Sequence, residues 1–262
     1  MSRQNYYKQR TARAEKVVDE DLIVQLVLGE RRLQPRLGVR KLHHMLRIEL
    51  LEAGVSIGRD KMFAVLRDRG MLVEPLPKSP RTTNSRHSLP VFRNLIADIQ
   101  TTEANQVWVS DLTYVRTKVG YEYLSLIMDL HSRKIVGFHS SEDLTKDGCL
   151  KALDQALEGL PEGKYPIHHS DRGCQYCSHA YVRRLKDHDL AVSMTEENHC
   201  AENATAERVN GTLKQEYGLG SEFRTREHAR RAVQQAVWLY NNRRPHTNLQ
   251  LQTPAEVHAQ AA

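Results

Sequence analysis

The chain has 262 residues, 40% of them hydrophobic, and a formal net charge of +6. That length suits one large domain or two modest ones, and no run approaches the roughly 18 apolar residues of a membrane-spanning helix. The polar, basic start Met-Ser-Arg-Gln-Asn-Tyr-Tyr-Lys has no apolar segment behind it, which argues against a secretion signal and for a cytoplasmic protein.

Charge is unevenly spread. Residues 1–97 carry 19 Lys/Arg against 10 Asp/Glu, whereas residues 98–262 carry 19 against 22. The front third is therefore either a phosphate-binding surface or a solvated basic helical region.

Residues 18–30 read as a short helix, with Leu22, Ile23, Leu26 and Val27 on one stripe. A second helix spans 37–52 with Val39, Leu42, Met45 and Leu46 at helical spacing. Gly54-Val-Ser-Ile-Gly58 breaks the pattern, and 59–69 resumes it with Met62, Val65 and Leu66 before Gly70. Two helices across a short Gly-containing turn make a helix-turn-helix-like arrangement. From 74 to 97, Pro75, Pro77, Pro80 and Pro90 punctuate a Ser/Thr/Arg/Asn-rich linker or extended arm.

The rhythm then becomes that of strands: 107–116, 121–129 and 134–139, with a turn at Lys118–Tyr121. Thr145–Leu157 reads as a helix, 165–168 as a short strand, 178–187 as a helix, 190–194 as a strand, 203–217 as a helix, and 224–241 as one more amphipathic helix. Three strands followed by alternating helices and strands is the order of the ribonuclease-H-like fold. The fold class expected is thus α/β, with a five-stranded mixed sheet and helices behind a small all-α domain. The expected division is a helical segment at 1–73, a linker at 74–99, a catalytic core at 100–220, and a C-terminal helix and tail at 221–262.

Three carboxylates stand out. Asp111 lies on a buried strand in Trp-Val-Ser-Asp-Leu-Thr-Tyr-Val, Asp171 follows a short strand in Ile-His-His-Ser-Asp-Arg-Gly, and Glu207 sits on a helix, with 35 residues between the last two. A strand Asp flanked by Trp108, Val109, Leu112, Tyr114 and Val115 is costly unless paired or metal-bound. Three acids packed together repel one another, so their convergence implies cations. Hard oxygen ligands suit Mg2+, and two such ions about 3.5–4 Å apart serve in-line displacement at phosphorus. Asp171-Arg-Gly read alone is equally a simple turn, and Asp129 at the end of the second strand reads as structural. On the helix, Asn203, Glu207, Asn210 or Gly211, and Lys214 share one face, and Ala204, Val209 and Leu213 turn away.

Four cysteines occur, at 149, 174, 177 and 200. Cys174-Gln-Tyr-Cys177, with His168 and His169 upstream, has the spacing of a zinc or redox pair. No second such pair and no His pair at ligand interval accompanies it, so reduced thiols without function are the favoured reading.

Five motifs now combine in order: Trp-Val-Ser-Asp-Leu-Thr-Tyr, Tyr-Leu-Ser-Leu-Ile-Met-Asp-Leu-His-Ser-Arg-Lys-Ile-Val-Gly, His-Ser-Asp-Arg-Gly-Cys-Gln-Tyr, Asn-Ala-Thr-Ala-Glu-Arg-Val-Asn-Gly-Thr-Leu-Lys-Gln-Glu and Tyr-Asn-Asn-Arg-Arg-Pro-His-Thr-Asn-Leu, followed by Thr253-Pro254. Over residues 100–258 they resemble the retroviral-integrase-like core of IS3-family insertion-sequence transposases, in particular the second-frame (OrfB) product. The stretch near 35–75 resembles that family's preceding helical DNA-binding segment. The resemblance implies that Asp111, Asp171 and Glu207 are the metal-binding catalytic triad, with two Mg2+ ions and Mn2+ able to substitute. It implies cleavage of element ends to expose a 3′ hydroxyl and strand transfer into DNA, with no nucleotide cofactor. DNA contacts are expected from Lys214, Asn210, Arg208 and Arg172 near the acids, from Arg59, Lys61 and Arg67 in the helical segment, and from Arg243 and Arg244. The partners implied are terminal inverted repeats, target DNA, a first-frame product or a fusion with it, and further copies of the chain on DNA, with no membrane. Cys174 and Cys177 stand where the family commonly has Ser or Thr. A DNA-binding regulator without catalysis and a nuclease for RNA–DNA hybrids are the competing readings. The 35-residue interval, the Arg-Arg-Pro-His motif and the basic front segment argue against the nuclease.

Overall fold

The computed structural model describes residues 3–74, 89–196 and 204–261. Most of the expected linker, together with Cys200 and Asn203, lies outside these residues. The chain divides into two compact units, Met1–Leu76 and Pro77–Ala262.

The first unit holds three helices, α1 (Arg3–Arg31), α2 (Val39–Glu52) and α3 (Arg59–Asp68). The first is much longer than the 18–30 segment its apolar stripe suggests. Ile23 and Val27 are buried against Leu42, Leu46 and Leu50 of α2 and Met62, Val65 and Leu66 of α3. Gly54 takes φ +80 in the α2–α3 turn, a conformation that costs glycine little and most other residues much more.

The second unit is built on one sheet of order β3-β2-β1-β4-β5. The strands are β1 (Val107–Thr117), β2 (Gly120–Asp129), β3 (Ile135–Ser141), β4 (Ile167–Ser170) and β5 (Val192–Met194), with α4 (Lys146–Glu158) before β4 and α5 (His179–Asp187) before β5. The first three strands pair antiparallel; β4 and β5 run parallel to β1. Then come α6 (Ala204–Glu216), α7 (Arg226–Asn242) and α8 (Pro254–Gln260). This is the five-stranded mixed sheet of the ribonuclease-H-like fold.

Side chains alternate across the strands, and β1 feeds two cores. Val107 and Val109 pack with Val209 and Leu213 of α6 and Val233 and Tyr240 of α7. Trp108 packs on the other face with Leu153 of α4 and Tyr181 and Leu185 of α5. Residues 221–262 thus share a core with the sheet, because α7 supplies one of its covering layers. The α8 helix is absent from the sequence reading, although Thr253-Pro-Ala-Glu256 forms a capping box with Pro at the helix start, a signal legible in the chain. Its His258 stands 3.0 Å from Ser132 Oγ and 3.8 Å from Asp129. Asp129 is fully buried and accepts hydrogen bonds from Asn105 N, Ser132 N and Ser132 Oγ. Burial pushes its pKa up, but the hydrogen bonds from His258, Ser132 and Asn105 win and hold it below the usual carboxylate value. The residue clasps the β2–β3 turn, so its role is structural.

Two features of the sheet yield predictions. A Cβ on Gly137 of β3 would run into the Ala152 carbonyl of α4 and come within 2.9 Å of Ala156 Cβ. Gly137→Ala must push α4 off the sheet and is expected to cost about 3 kcal/mol, the upper range for overpacking, measured by urea unfolding. Glu122 on β2 is fully buried and accepts hydrogen bonds from Arg230 Nε and Nη2 at 2.9 and 3.0 Å, with Arg226 at 3.9 Å. Arg230→Met leaves a buried carboxylate short of its main partner. The expected loss is about 3 kcal/mol, the lower end for a broken buried pair because Arg226 remains; a thermal melt with an unchanged midpoint would refute it.

Candidate active site

The site begins with strand register. Ser110 of β1 pairs with Ser170 of β4 in parallel. Asp111 comes one residue later on β1, and Asp171 one residue past the end of β4, on neighbouring strands about 4.8 Å apart. Asp111 shares the alternation of Val107 and Val109 and so faces α6. There Asn210 Nδ2 donates to its Oδ2 at 2.8 Å, while Leu112 N donates to Oδ1 at 2.9 Å. Asp171 Oδ1 accepts from Gly173 N at 2.9 Å, and a Cβ on Gly173 would lie only 2.9 Å from that oxygen. Glycine lets the loop close tightly around the carboxylate. Arg172 Nε ties the same loop to Thr195 O at 2.7 Å.

Glu207 is exposed, one turn before Asn210 on α6. The other two acids both act on Asp111 through their charge. The Asp111 carboxyl is pushed up to about 7, chiefly by burial, then by Asp171 and with a smaller push from Glu207, against the hydrogen bonds from Asn210 and Leu112. Among the described residues, however, no three His, Cys, Asp or Glu side chains stand close enough to share a metal ion. Carboxylates facing one another without a cation repel. All their donors are hard oxygens, the chemistry that Mg2+ or Mn2+ selects, and uncompensated negative charge centred on Asp111 is what a divalent cation would relieve.

Lys214 is half-buried two turns after Glu207, with Nζ 4.5 Å from the Tyr114 ring centroid. Burial lowers its pKa, and Asp111 works the other way. Behind the two strands, His168 Nε2 lies 2.7 Å from Ser110 Oγ and 2.9 Å from Tyr181 OH. Burial, helped by His169, pushes His168 down to about 3, so it is neutral and braces β1, β4 and α5 together.

Several expectations change. Asn210 is buried on Asp111 rather than turned to a DNA contact, and the Glu-x-x-Asn spacing, one helical turn, was the signal for it. On α6 it is Ala206, not Ala204, that joins Val209 and Leu213 in the core; Ala204 is exposed. Arg244 is 6% exposed and paired with Glu216 at 2.7 and 2.8 Å, so its charge is spent inside the fold, unavailable to DNA. Arg208 and Arg243 are exposed. In the first unit, Arg59, Lys61 and Arg67 are exposed, beside Asp60, Glu20 and Asp68 respectively. Cys177 is buried near Met194 and Cys174 is exposed, an arrangement with no shared ligand geometry.

The comparisons with known proteins agree with this architecture. Two family models described as integrase core domain match residues 101–200 and 188–254. An uncharacterized 31 kDa protein of insertion element IS600 from Shigella sonnei is 35% identical over 259 residues, 97% of this chain and 94% of that one. The transposase InsF of insertion sequence IS3A from Escherichia coli strain K12 is 36% identical over 186 residues, 71% of this chain and 65% of that transposase. A chain in the cryo-EM structure of the simian T-cell lymphotropic virus intasome, in complex with PP2A regulatory subunit B56 gamma, aligns with TM-score 0.52 at 17% identity, covering 84% of this chain and 74% of that one. The fold is that of an integrase core. The chain belongs to the IS3 family of insertion-sequence transposases, a class that acts in DNA transposition. No helix among the described residues is long and apolar enough to cross a membrane.

Proposed function

We propose that this chain is the catalytic portion of a transposase that cuts the ends of its insertion sequence and joins the freed 3′ hydroxyls to target DNA. The observation that carries the reading is that Asp111 and Asp171 each directly follow the paired Ser110 and Ser170, with Glu207 adding a smaller push to the Asp111 carboxyl. Asp111, Asp171 and Glu207 would hold two divalent cations, Mg2+ with Mn2+ as substitute. Such ions would polarise the scissile phosphate and favour the attacking hydroxide or 3′ oxygen.

The protein's own part is positioning. Asn210 and the Leu112 amide fix the rotamer of Asp111, and the Gly173 amide fixes Asp171. The neutral His168 locks the two strands that bear them. Lys214, set over Tyr114, would meet a phosphate oxygen near the reacting centre. Energy for joining comes from the phosphodiester bond broken, so no nucleotide is needed. Terminal repeats and target DNA are the substrates. A first-frame partner or fusion would help read the ends, and two ends brought together require more than one copy of the chain.

The test is cleavage and joining of a duplex bearing the element's end, with Mg2+, Mn2+ or EDTA. Joined products that need metal support the reading. Binding without any product, with or without the first-frame partner, would instead make the chain a regulator of transposition.

A further inference from the structure

The Cys174-Gln-Tyr-Cys177 motif has no part in the mechanism above, yet it directly follows the loop that holds Asp171. Gly173 O accepts from Tyr176 N at 3.0 Å and from Cys177 N at 3.1 Å, so the motif winds as one helical turn. Side chains three apart on such a turn are neighbours, with Cβ atoms about 5–6 Å apart. A disulfide needs about 3.5–4.5 Å between them. The backbone therefore has to close by only about 1–2 Å for the two sulfurs to join.

The two thiols differ in access. Cys174 is exposed, with Sγ 3.4 Å from Gln175 Oε1. Cys177 is fully buried, with Sγ 3.6 Å from Met194 Sδ. An oxidant in solvent reaches the first thiol, and the second waits one turn behind it. Cys149 is buried, with Ser125 Oγ 3.3 Å from its sulfur, and is closed to the same oxidant.

The turn is anchored at one end only. Cys177 packs with Tyr181 and Leu185, and the next residue, Ser178, caps α5 by accepting from Tyr181 N. The exposed Cys174 follows Gly173, whose N–H donates to Asp171 Oδ1 at 2.9 Å. That contact has no slack, because a Cβ on Gly173 would already lie 2.9 Å from the same oxygen. Drawing Cys174 toward Cys177 thus drags Gly173 and takes its amide off the carboxylate.

We propose that Cys174 and Cys177 are an oxidisable pair whose disulfide releases Asp171 from its tether and switches the site off reversibly. The oxidant is a hydroperoxide. The Cys174 sulfur attacks one peroxide oxygen, the O–O bond breaks, and a sulfenic acid and water form as the thiol proton joins the leaving oxygen. The Cys177 sulfur then attacks the sulfenic sulfur, the S–S bond forms, and the S–O bond breaks. The released hydroxide takes the Cys177 proton and leaves as water. Two thiols are oxidised and one peroxide is reduced to two waters. The loss of catalysis rests on the reading of Asp171 as a metal-binding acid, whereas the oxidation does not.

The experiment uses the full reduced chain, treated with hydrogen peroxide and then with an alkylating agent. Peptide mass spectrometry is expected to find a Cys174–Cys177 bridge. Metal-dependent cleavage of the element's end should fall by about 10–100-fold, the usual loss when a partner orienting a metal ligand is removed. Dithiothreitol should restore it. The rise in melting temperature given by Mg2+ should shrink in the oxidised chain and return on reduction. Cys174→Ser should keep its cleavage activity and ignore peroxide. A Cys174 oxidised to sulfinic acid, or bridged to Cys200 or to another copy while Cys177 stays alkylated, overturns the pair. So does a Cys174–Cys177 bridge that leaves cleavage and the Mg2+ shift unchanged, or a Cys174→Ser chain that peroxide inactivates as fully as wild type. A reduced wild type that never cuts DNA sinks the strand-transfer reading, and the mapped bridge with its effect on the Mg2+ shift then decides the pair.

Discussion

Glu207→Gln is expected to reduce metal-dependent cleavage and strand transfer by on the order of 10³-fold or more, while DNA binding changes little. Removing a partner that merely orients a metal ligand typically costs 10–100-fold, and a ligand itself should cost more. The substitution keeps size and hydrogen-bonding capacity but removes the charge. Glu207 is exposed on α6, away from the core residues Ala206, Val209 and Leu213, so folding should be untouched. Gel assays of cut and joined products, with binding measured in parallel, check this. Residual activity within tenfold of wild type would remove Glu207 from the catalytic set. A fall in binding equal to the fall in activity would make it a DNA-contact residue instead.

Asp111→Asn should do something less intuitive: end activity and make the metal-free protein more stable at alkaline pH. Asp111 is pushed up to about 7 by burial and by Asp171 and Glu207, against 3.8 for the unhindered group. The folded chain therefore holds this proton more tightly than the unfolded one. Below about pH 4 both states carry it and the group contributes no pH dependence. As pH rises through the window from about 4 to 7, the folded state alone resists losing it, and stability falls by up to about 1.4 kcal/mol per pH unit. Above about 7 the full penalty is present. Asn carries no such penalty, so at pH 8 the variant is expected to gain about 1–3 kcal/mol in EDTA, and nothing near pH 4. Its amide oxygen can still accept the Asn210 hydrogen bond, which limits other losses. Adding Mg2+ should raise the melting temperature of the wild type and leave the variant nearly unmoved. An Asp111→Asn protein that melts below wild type at pH 8 in EDTA would show that the carboxylate is stabilising as it stands.

Both predictions turn on residues legible in the chain. Asp111, Asp171 and Glu207 were visible because each sits where the pattern changes: an acid amid apolar strand residues, one at the end of a short strand, one on a helix 35 residues on. Element order was legible for the same reason, since periods of two and of 3.6 leave different marks. The long start of α1 was not, because residues 3–17 carry no apolar stripe at helical spacing in the sequence. Arg244 misled for a related reason: an arginine beside another arginine reads as surface, and nothing local reveals Glu216, 28 residues away.

What the sequence determined by itself was therefore local: the strands and most helices, and the family to which the spacing of its motifs belongs. Only the tertiary structure decided which partners the residues of those motifs meet. The parallel Ser110–Ser170 register sets Asp111 beside Asp171. Packing of α6 on β1 turns Asn210 inward to hold Asp111 and sets Lys214 over Tyr114. Backbone pattern is fixed by neighbours a few residues apart, whereas burial, charge coupling and hydrogen-bond partners are fixed by which distant elements share a face.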